Sequence, residues 1–310
     1  MVHVDKPLTD ISVAYTQSDT NFIASRVFPT INVTKQSDKY FVFDRNTFMR
    51  DQAQKRGSGE ESAGSGYTLS TDSYFCDVWA LHKDISDFDR ANTDAPLNAD
   101  RNAATFIAQQ FLIRKEKQFV DDFLTTGVWG TDKTVAAQWS DYTGSDPLAD
   151  VDVGKETILT ATGQLPNTLV MNFQVFNKLK NHPDIVDRIK YTSSRVVTEE
   201  VLASLFGVDQ VLVPKAVMDT SVEGLAASTS LILGKHALLC HVAKNPGIEV
   251  PSAGYCFAWS GLAPGLANGG MTMGKFRMDN LLSDRIEGHL AIENKVVGSQ
   301  LGYFFSSVVA

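Results

Sequence analysis

The sequence predicts an α+β fold, and three patterns carry that reading. Residues 98–126 repeat apolar side chains mostly at three- and four-residue spacing, the period of a helix. Residues 151–242 alternate short helical patterns with short apolar strands, and residues 275–305 return to strands. At 310 residues the chain is long enough for one large domain or two ordinary ones.

Composition narrows the class of function. The 43% hydrophobic and 21% charged fractions are ordinary for a soluble globular protein. A net charge of −8 argues against a chain built to grip nucleic acid, because such a surface needs a basic surplus to displace counterions from phosphates. No run approaches the ~20 apolar residues of a membrane helix. Met1-Val2-His3-Val4-Asp5-Lys6-Pro7 has no apolar run behind a basic start, so the expected location is cytosolic. Cys76, Cys240 and Cys256 are widely spaced among apolar neighbours and are expected as buried thiols.

Residues 1–36 scatter Val13, Tyr15, Phe22, Ile23, Val27, Phe28, Ile31 and Val33 among polar residues. The stretch is too apolar for a solvated tail and too irregular for a core, so it reads as an arm lying on another surface. A hairpin follows, with one strand at Tyr40-Phe41-Val42-Phe43 and a second from Thr68 to Leu81. The join at 51–65 is rich in glycine and serine and has no hydrophobe larger than alanine. A join of that length is uncommon in a compact domain unless it is functional.

The long helix has a start signal at Asp94-Ala95-Pro96, with Asn98 or Asp100 as later caps, and a stop at Gly127. Arg114-Lys115-Glu116-Lys117 forms a charged patch on it. Beyond a turn-rich stretch, 151–163 reads as a helix, 168–171 as a buried strand and 173–179 as a short helix stopping at His182-Pro183. A capped helix begins near Thr198 and closes at Gly207, ahead of strands at 211–213, 231–233 and 237–242. Glycine and proline crowd 261–270, which suggests a boundary loop before strands at 275–279, 287–293 and 302–305.

Signatures of chemistry are missing or broken. Gly269 to Lys275 has phosphate-loop spacing, but Phe276 stands where a Ser or Thr must hold magnesium. There is no G-x-S-x-G elbow, and the six histidines are dispersed. His236 and His241 would fall on opposite faces of a strand. Asp87/Asp89 and Asp150/Asp152 read as loop or cap carboxylates. No catalytic residue, cofactor or metal site is expected.

Several segments, in order, resemble a known family. They are Thr168-Leu169-Val170-Met171-Asn172, then Ser204 through Pro214, then Gly234-Lys235-His236-Ala237-Leu238-Leu239. Pro251 through Trp259 and Lys295 through Tyr303 complete the series. In that order and spacing they resemble the major capsid proteins of tailed bacteriophages, which share the Hong Kong 97-type capsid fold. The resemblance covers most of residues 37–310. It implies an amino-terminal arm at 1–36, an extended loop at 37–81, and a peripheral domain at 82–150 built on a spine helix at 98–126. It further implies an axial domain at 151–271 and a return to the peripheral domain at 272–310.

The same resemblance implies a non-enzymatic subunit that assembles through hexamers and pentamers into an icosahedral shell around double-stranded DNA. Such a virion capsid would be built in the host bacterial cytoplasm. The implied partners are other copies of the chain, a separate scaffolding protein, a portal and, in some relatives, a decoration protein. The packaged DNA would make weak contact or none. No long helical scaffolding segment precedes the spine helix, hence the separate scaffold. Lys55 lies in the loop, but no motif carries over the cross-link that some relatives form. An encapsulin-like compartment is the near alternative, and an α/β enzyme the remote one.

Length supports the container reading. A domain of this size has a radius of gyration near ~20 Å, whereas hairpin arms of about twelve residues reach ~40 Å. The hairpin is therefore expected to project and to be covered by a neighbouring copy. The expected contact residues are Tyr40, Phe41, Phe43, Tyr74, Phe75 and Trp79 on the strands, with Arg50, Lys55, Arg56, Glu60 and Glu61 at the tip.

Overall fold

A computed structural model describes residues 16–93, 97–190, 196–247, 250–262 and 269–310. Residues 1–15 of the expected arm, the Asp94-Ala95-Pro96 start signal and residues 263–268 of the expected boundary loop lie outside the described residues. In chain order come a short helix α1 (Ala24–Val27) and strand β1 (Thr30–Val33). The hairpin consists of β2 (Ser37–Phe43), a one-turn helix α2 (Arg45–Met49) and β3 (Leu69–Phe75). Next are β4 (Asp77–Ser86), α3 (Asp87–Ala91), the spine helix α4 (Ala99–Phe123), β5 (Thr131–Thr134) and α5 (Pro147–Thr162). They lead to β6 (Thr168–Met171), α6 (Phe173–Lys180), α7 (Pro183–Ile189), α8 (Glu199–Phe206) and β7 (Gln210–Leu212). A ribbon of β8 (Val217–Asp219) and β9 (Thr229–Leu231) precedes β10 (Ala237–Cys240) and β11 (Gly254–Trp259). The chain ends with β12 (Met271–Met278), β13 (Ser283–Val296) and β14 (Gly302–Ser306).

Local chemistry sets the helix limits. The Asn98 side chain accepts from Arg101 N–H and starts α4. Asp146 caps α5 ahead of Pro147, and Thr198 caps α8. Gly163 and Gly207, at φ 70° and 63°, close those two helices in the left-handed region. The spine helix stops at Phe123, short of Gly127, because the Trp129 indole N–H takes the Phe123 carbonyl at 2.6 Å. Its 25 residues span ~37 Å.

Two five-stranded sheets organise the molecule. In the first, β13 carries β4 along one edge, and β12 followed by β11 along the other, with β1 parallel to β11 outside. The second has the order β5-β14-β10-β6-β7. Its three central strands, β14, β10 and β6, are buried on both faces, as expected where a sheet is covered on both sides. Leu239, Met171 and Phe305 meet α5 to α8 on one face, while Leu238, Val170 and Phe304 meet Phe119 and Phe123 of α4 on the other. Ala103, Ile107 and Phe111, spaced by four along α4, bury against the first sheet. The approach is so close that a Cβ on Gly288 of β13 would stand 2.5 Å from the Phe111 ring and 2.7 Å from Ile107.

The structure differs from the sequence reading at three points. The strand expected from Thr68 to Leu81 is two strands, broken at Cys76, because β3 pairs with β2 while β4 pairs with β13. Cys76 is fully buried at the break, where its N–H donates to Gln36 and Gln36 donates back. Second, the limits at 150/151 and 271/272 do not follow sheet membership. Strand β5 and most of the turn of α5 before residue 151 go with the second sheet, as does β14, whereas β11 belongs to the first. The reason for β14 is its unbroken apolar run, which suits a strand buried on both faces.

Third, the described part of the leading segment lies on its own chain. Ile23, Val27 and Phe28 are buried against Phe119, Phe123 and Trp129, with the Phe28 and Phe123 rings 4.5 Å apart. Glu116, read as part of a charged patch, is only 1% exposed and accepts from the N–H groups of Ile23 (3.0 Å) and Ala24 (2.9 Å). Burial pushes its carboxyl up to about 7, against the pull of those two amides.

Candidate assembly surface

Strands β2 and β3 pair from Ser37↔Phe75 to Phe43↔Leu69, forming a two-stranded ribbon outside both large sheets. Its base is pinned to the body. Tyr74 is buried and stacks on Phe257 at 4.6 Å, and Tyr40 lies 5.7 Å from the same ring. The Tyr40 hydroxyl donates to Asp72 at 2.8 Å. Burial, then Asp72, raises the Tyr40 phenol, and the same bond holds the Asp72 carboxyl below its usual range.

The distal half is an aromatic knob. Asp44 caps α2 by accepting from Asn46 N–H and from the Thr47 hydroxyl. These bonds hold the Asp44 carboxyl below its usual range. The turn brings Phe48 to Phe43 and Tyr67, with all three ring separations near 6 Å (5.9, 6.0 and 5.9 Å). Phe48 and Tyr67 nevertheless remain 63% and 65% exposed, as do Phe41 (63%), Phe75 (55%) and Met49 (52%). Exposed apolar surface on this scale marks an interaction site in a soluble protein.

The expected contact residues therefore divide. Phe41 and Phe75 are exposed, Phe43 is half-buried in the knob, and Tyr40 is half-buried at the base. Tyr74 is buried, its ring stacked on Phe257 of its own chain. Trp79 sits on β4 of the first sheet and not on the ribbon, partly exposed, with the Arg114 guanidinium 3.6 Å over its ring. At the tip, Arg56 donates to the Glu60 carbonyl and the Glu60 side chain accepts from Gly57 N–H. Arg50, Lys55 and Glu61 are exposed without hydrogen bonds or ion pairs to other described residues.

Beneath the hairpin runs a mainly apolar groove of about 1160 Å³. Phe41, Phe43, Phe48 and Met49 form one wall, and Tyr255, Phe257, Val297 and Leu301 the other. The expectation of a freely projecting hairpin thus needs amendment. It leans along its own body, and Arg45 Nη1 donates to the Ala161 carbonyl at 3.0 Å. It does not pack wholly on that body.

No family model matches the sequence. The major capsid protein of Burkholderia phage BcepMu is 26% identical over 217 residues, 69% of each chain. The crystal structure of a phage-related protein from Bordetella bronchiseptica RB50 aligns with a TM-score of 0.71 at 21% identity, covering 94% of both chains. The capsid of cyanophage P-SCSP1u aligns at 0.61 with 11% identity, over 95% of this chain and 90% of that one. This chain has the Hong Kong 97-type capsid fold. The holo-SrpI encapsulin complex of Synechococcus elongatus PCC 7942 shares that fold, with a TM-score of 0.57 and 12% identity over 99% and 96% of the chains.

Among the described residues, one Ser-His-Asp arrangement resembles a catalytic triad but has the wrong hydrogen-bond sense for one. Ser145 Oγ lies 3.1 Å from His182 Nε2, and His182 Nδ1 lies 3.5 Å from Asp184. The Ser145 hydroxyl, however, donates to the Asp141 carbonyl at 2.6 Å, so His182 must act as donor to it. His182 is fully buried, with Tyr142 edge-on against its ring. The glycine-rich stretch before Lys275 runs into strand β12, and Lys275 pairs with Asp100 and Asp284. Among the described residues no cluster of three potential metal ligands forms, and no helix is long and apolar enough to cross a membrane.

Sequence reasoning missed Phe48, Met49, Tyr67 and Arg45 as surface-building residues. The signal was available for two of them: Phe48 and Tyr67 are the last large aromatics on either side of the polar loop. Nothing local distinguished Glu116 from Lys115 and Lys117.

Proposed function

We propose that this chain is the major capsid protein of a tailed bacteriophage, a structural subunit rather than an enzyme. Copies assemble through hexamers and pentamers into an icosahedral shell that encloses double-stranded DNA. The observation that carries the reading is the hairpin, which among the described residues leaves Phe41, Phe48, Tyr67 and Phe75 more than half exposed. Head-to-tail contact with a neighbouring copy covers such surface and closes rings when the rotation permits. Each contact can be modest, because a subunit held at several edges gains by effective concentration. The unpaired Arg50, Lys55 and Glu61 at the tip suit contacts that set geometry and register. A subunit with a net charge of −8 has no basic surplus with which to hold DNA, which suits packing and release.

A scaffolding protein and portal belong to this reading as separate partners, and assembly takes place in the host cytoplasm. Electron microscopy of the purified chain, alone and with scaffold, tests it. Hollow particles or rings are expected, and a strict monomer at high concentration would contradict it. The fold shared with SrpI encapsulin favours one second reading, a bacterial compartment. Particles enclosing a cargo protein in place of DNA would select that alternative.

A further inference from the structure

We propose that Arg45 is a latch that holds the hairpin against its own body in the dispersed subunit, and that docking onto a neighbouring copy begins with its release. The latch stands on geometry, while its role in docking rests on the shell-subunit reading. Arg45 opens α2, in the distal half of the hairpin, and reaches a carbonyl 116 residues further along the chain. That carbonyl, on Ala161, lies in the last turn of α5, where backbone oxygens lack helical N–H partners and the helix dipole is negative. Helix α5 has no basic residue in its own last turn. Arg45 supplies the missing cation from outside, and it is the only charged side chain lining the groove among the described residues.

The remaining attachments make a hinge. Gln36 and Cys76 exchange hydrogen bonds at the base of the ribbon, and Phe257 holds Tyr40 and Tyr74 there. Between base and latch lies the unfilled groove, so the distal hairpin lacks the close packing that would fix it. The Phe43, Phe48 and Tyr67 rings pack on one another and would move with the hairpin as one piece. One exposed charge-assisted hydrogen bond across an open groove is easily broken, yet it biases where the hairpin rests. Its removal should lower the closed-to-open ratio roughly five- to tenfold. Self-docking also keeps the groove walls facing each other until a partner competes for them.

The test places spin labels on Asn46→Cys and Glu156→Cys in the full-length dispersed chain. Cys76, Cys240 and Cys256 are at most 2% exposed and will not take label. The parent should give one narrow distance between hairpin and α5. Arg45→Ala should add a longer, broader population, and Arg45→Lys should restore most of the short one. An unchanged distribution in Arg45→Ala would overturn the latch. Light scattering then follows assembly, where Arg45→Ala should shorten the half-time by a similar factor. An unchanged or longer half-time, with the hairpin shown to be open, would overturn the link to docking. A parent chain that forms no particles even with scaffold would count against the shell reading instead, and the label distances would still decide the latch.

Discussion

Replacing Glu116 by alanine strips the acceptor from two backbone N–H groups, those of Ile23 and Ala24, inside a site where the carboxyl is 1% exposed. A buried donor left unpaired costs about 1–3 kcal/mol, so loss of the partner for both is worth roughly 2–6 kcal/mol. Against this stands the penalty of holding a buried charge. Burial raises the Glu116 carboxyl from 4.5 to about 7, a shift that corresponds to at most about 3 kcal/mol. A carboxyl with a raised pKa binds its proton more tightly in the folded state. Its contribution is therefore fully present below pH 4.5 and declines as pH rises toward 7. Glu116→Ala should destabilise the dispersed subunit strongly at pH 5 and far less at pH 8. Glu116→Gln, which keeps an acceptor without the charge, should flatten the pH dependence. Urea unfolding at both pH values, with proteolysis after Arg26 as a local probe of the leading segment, measures the difference. Equal destabilisation at both pH values, or a larger effect at pH 8, would refute the argument that burial dominates this carboxyl.

Other perturbations have equally definite outcomes. Deleting residues 52–64 should leave a folded, soluble subunit that fails to form stable shells, as read by circular dichroism and electron microscopy. Replacing Phe48 and Tyr67 together by serine should change subunit stability by no more than about 0.5 kcal/mol each, since both are exposed, while sharply reducing particle yield. Gly288→Ala should cost about 1–3 kcal/mol in denaturant unfolding, because its Cβ would press on Phe111 and Ile107. Asp284 is shared by Arg90, Lys275 and Arg277, whose hydrogen bonds hold its carboxyl down at about 2. A lowered pKa gives stability that is present above 3.8 and lost as pH falls toward 2. Asp284→Asn should therefore lower the melting temperature at pH 7 and weaken its decline between pH 4 and 2.

How much was legible in the sequence depended on the range of the interactions involved. Strand 168–171, the helix from Thr198 to Gly207 and strands near 211 and 237 lie close to where periodicity and caps put them, because Thr198, Gly207 and the apolar run 168–171 act locally. Helix α7, by contrast, begins at Pro183, where a stop was expected. The break at Cys76 was invisible, since Tyr74, Phe75, Val78 and Trp79 around it are good strand formers and only pairing with β2 or β13 separates the two strands. The placement of β14 beside β10 and β5 is likewise a long-range choice. Glu116 sits in a run of charges that a helical pattern assigns to solvent, and only the packing of the leading segment over it makes it a buried acceptor. At the assembly surface, the polar loop and its aromatic flanks could be read directly. The division of Tyr40 and Tyr74 toward the body, with Phe41 and Phe48 toward water, required the register and the position of Phe257.

The claim that copies cover one another's hairpins is tested most directly by cross-linking particles assembled from an equal mixture of light and heavy isotope-labelled chains. Cross-links from Lys55 should join light to heavy peptides as often as chance mixing allows. Links confined to peptides of the same chain, in well-formed particles, would contradict it.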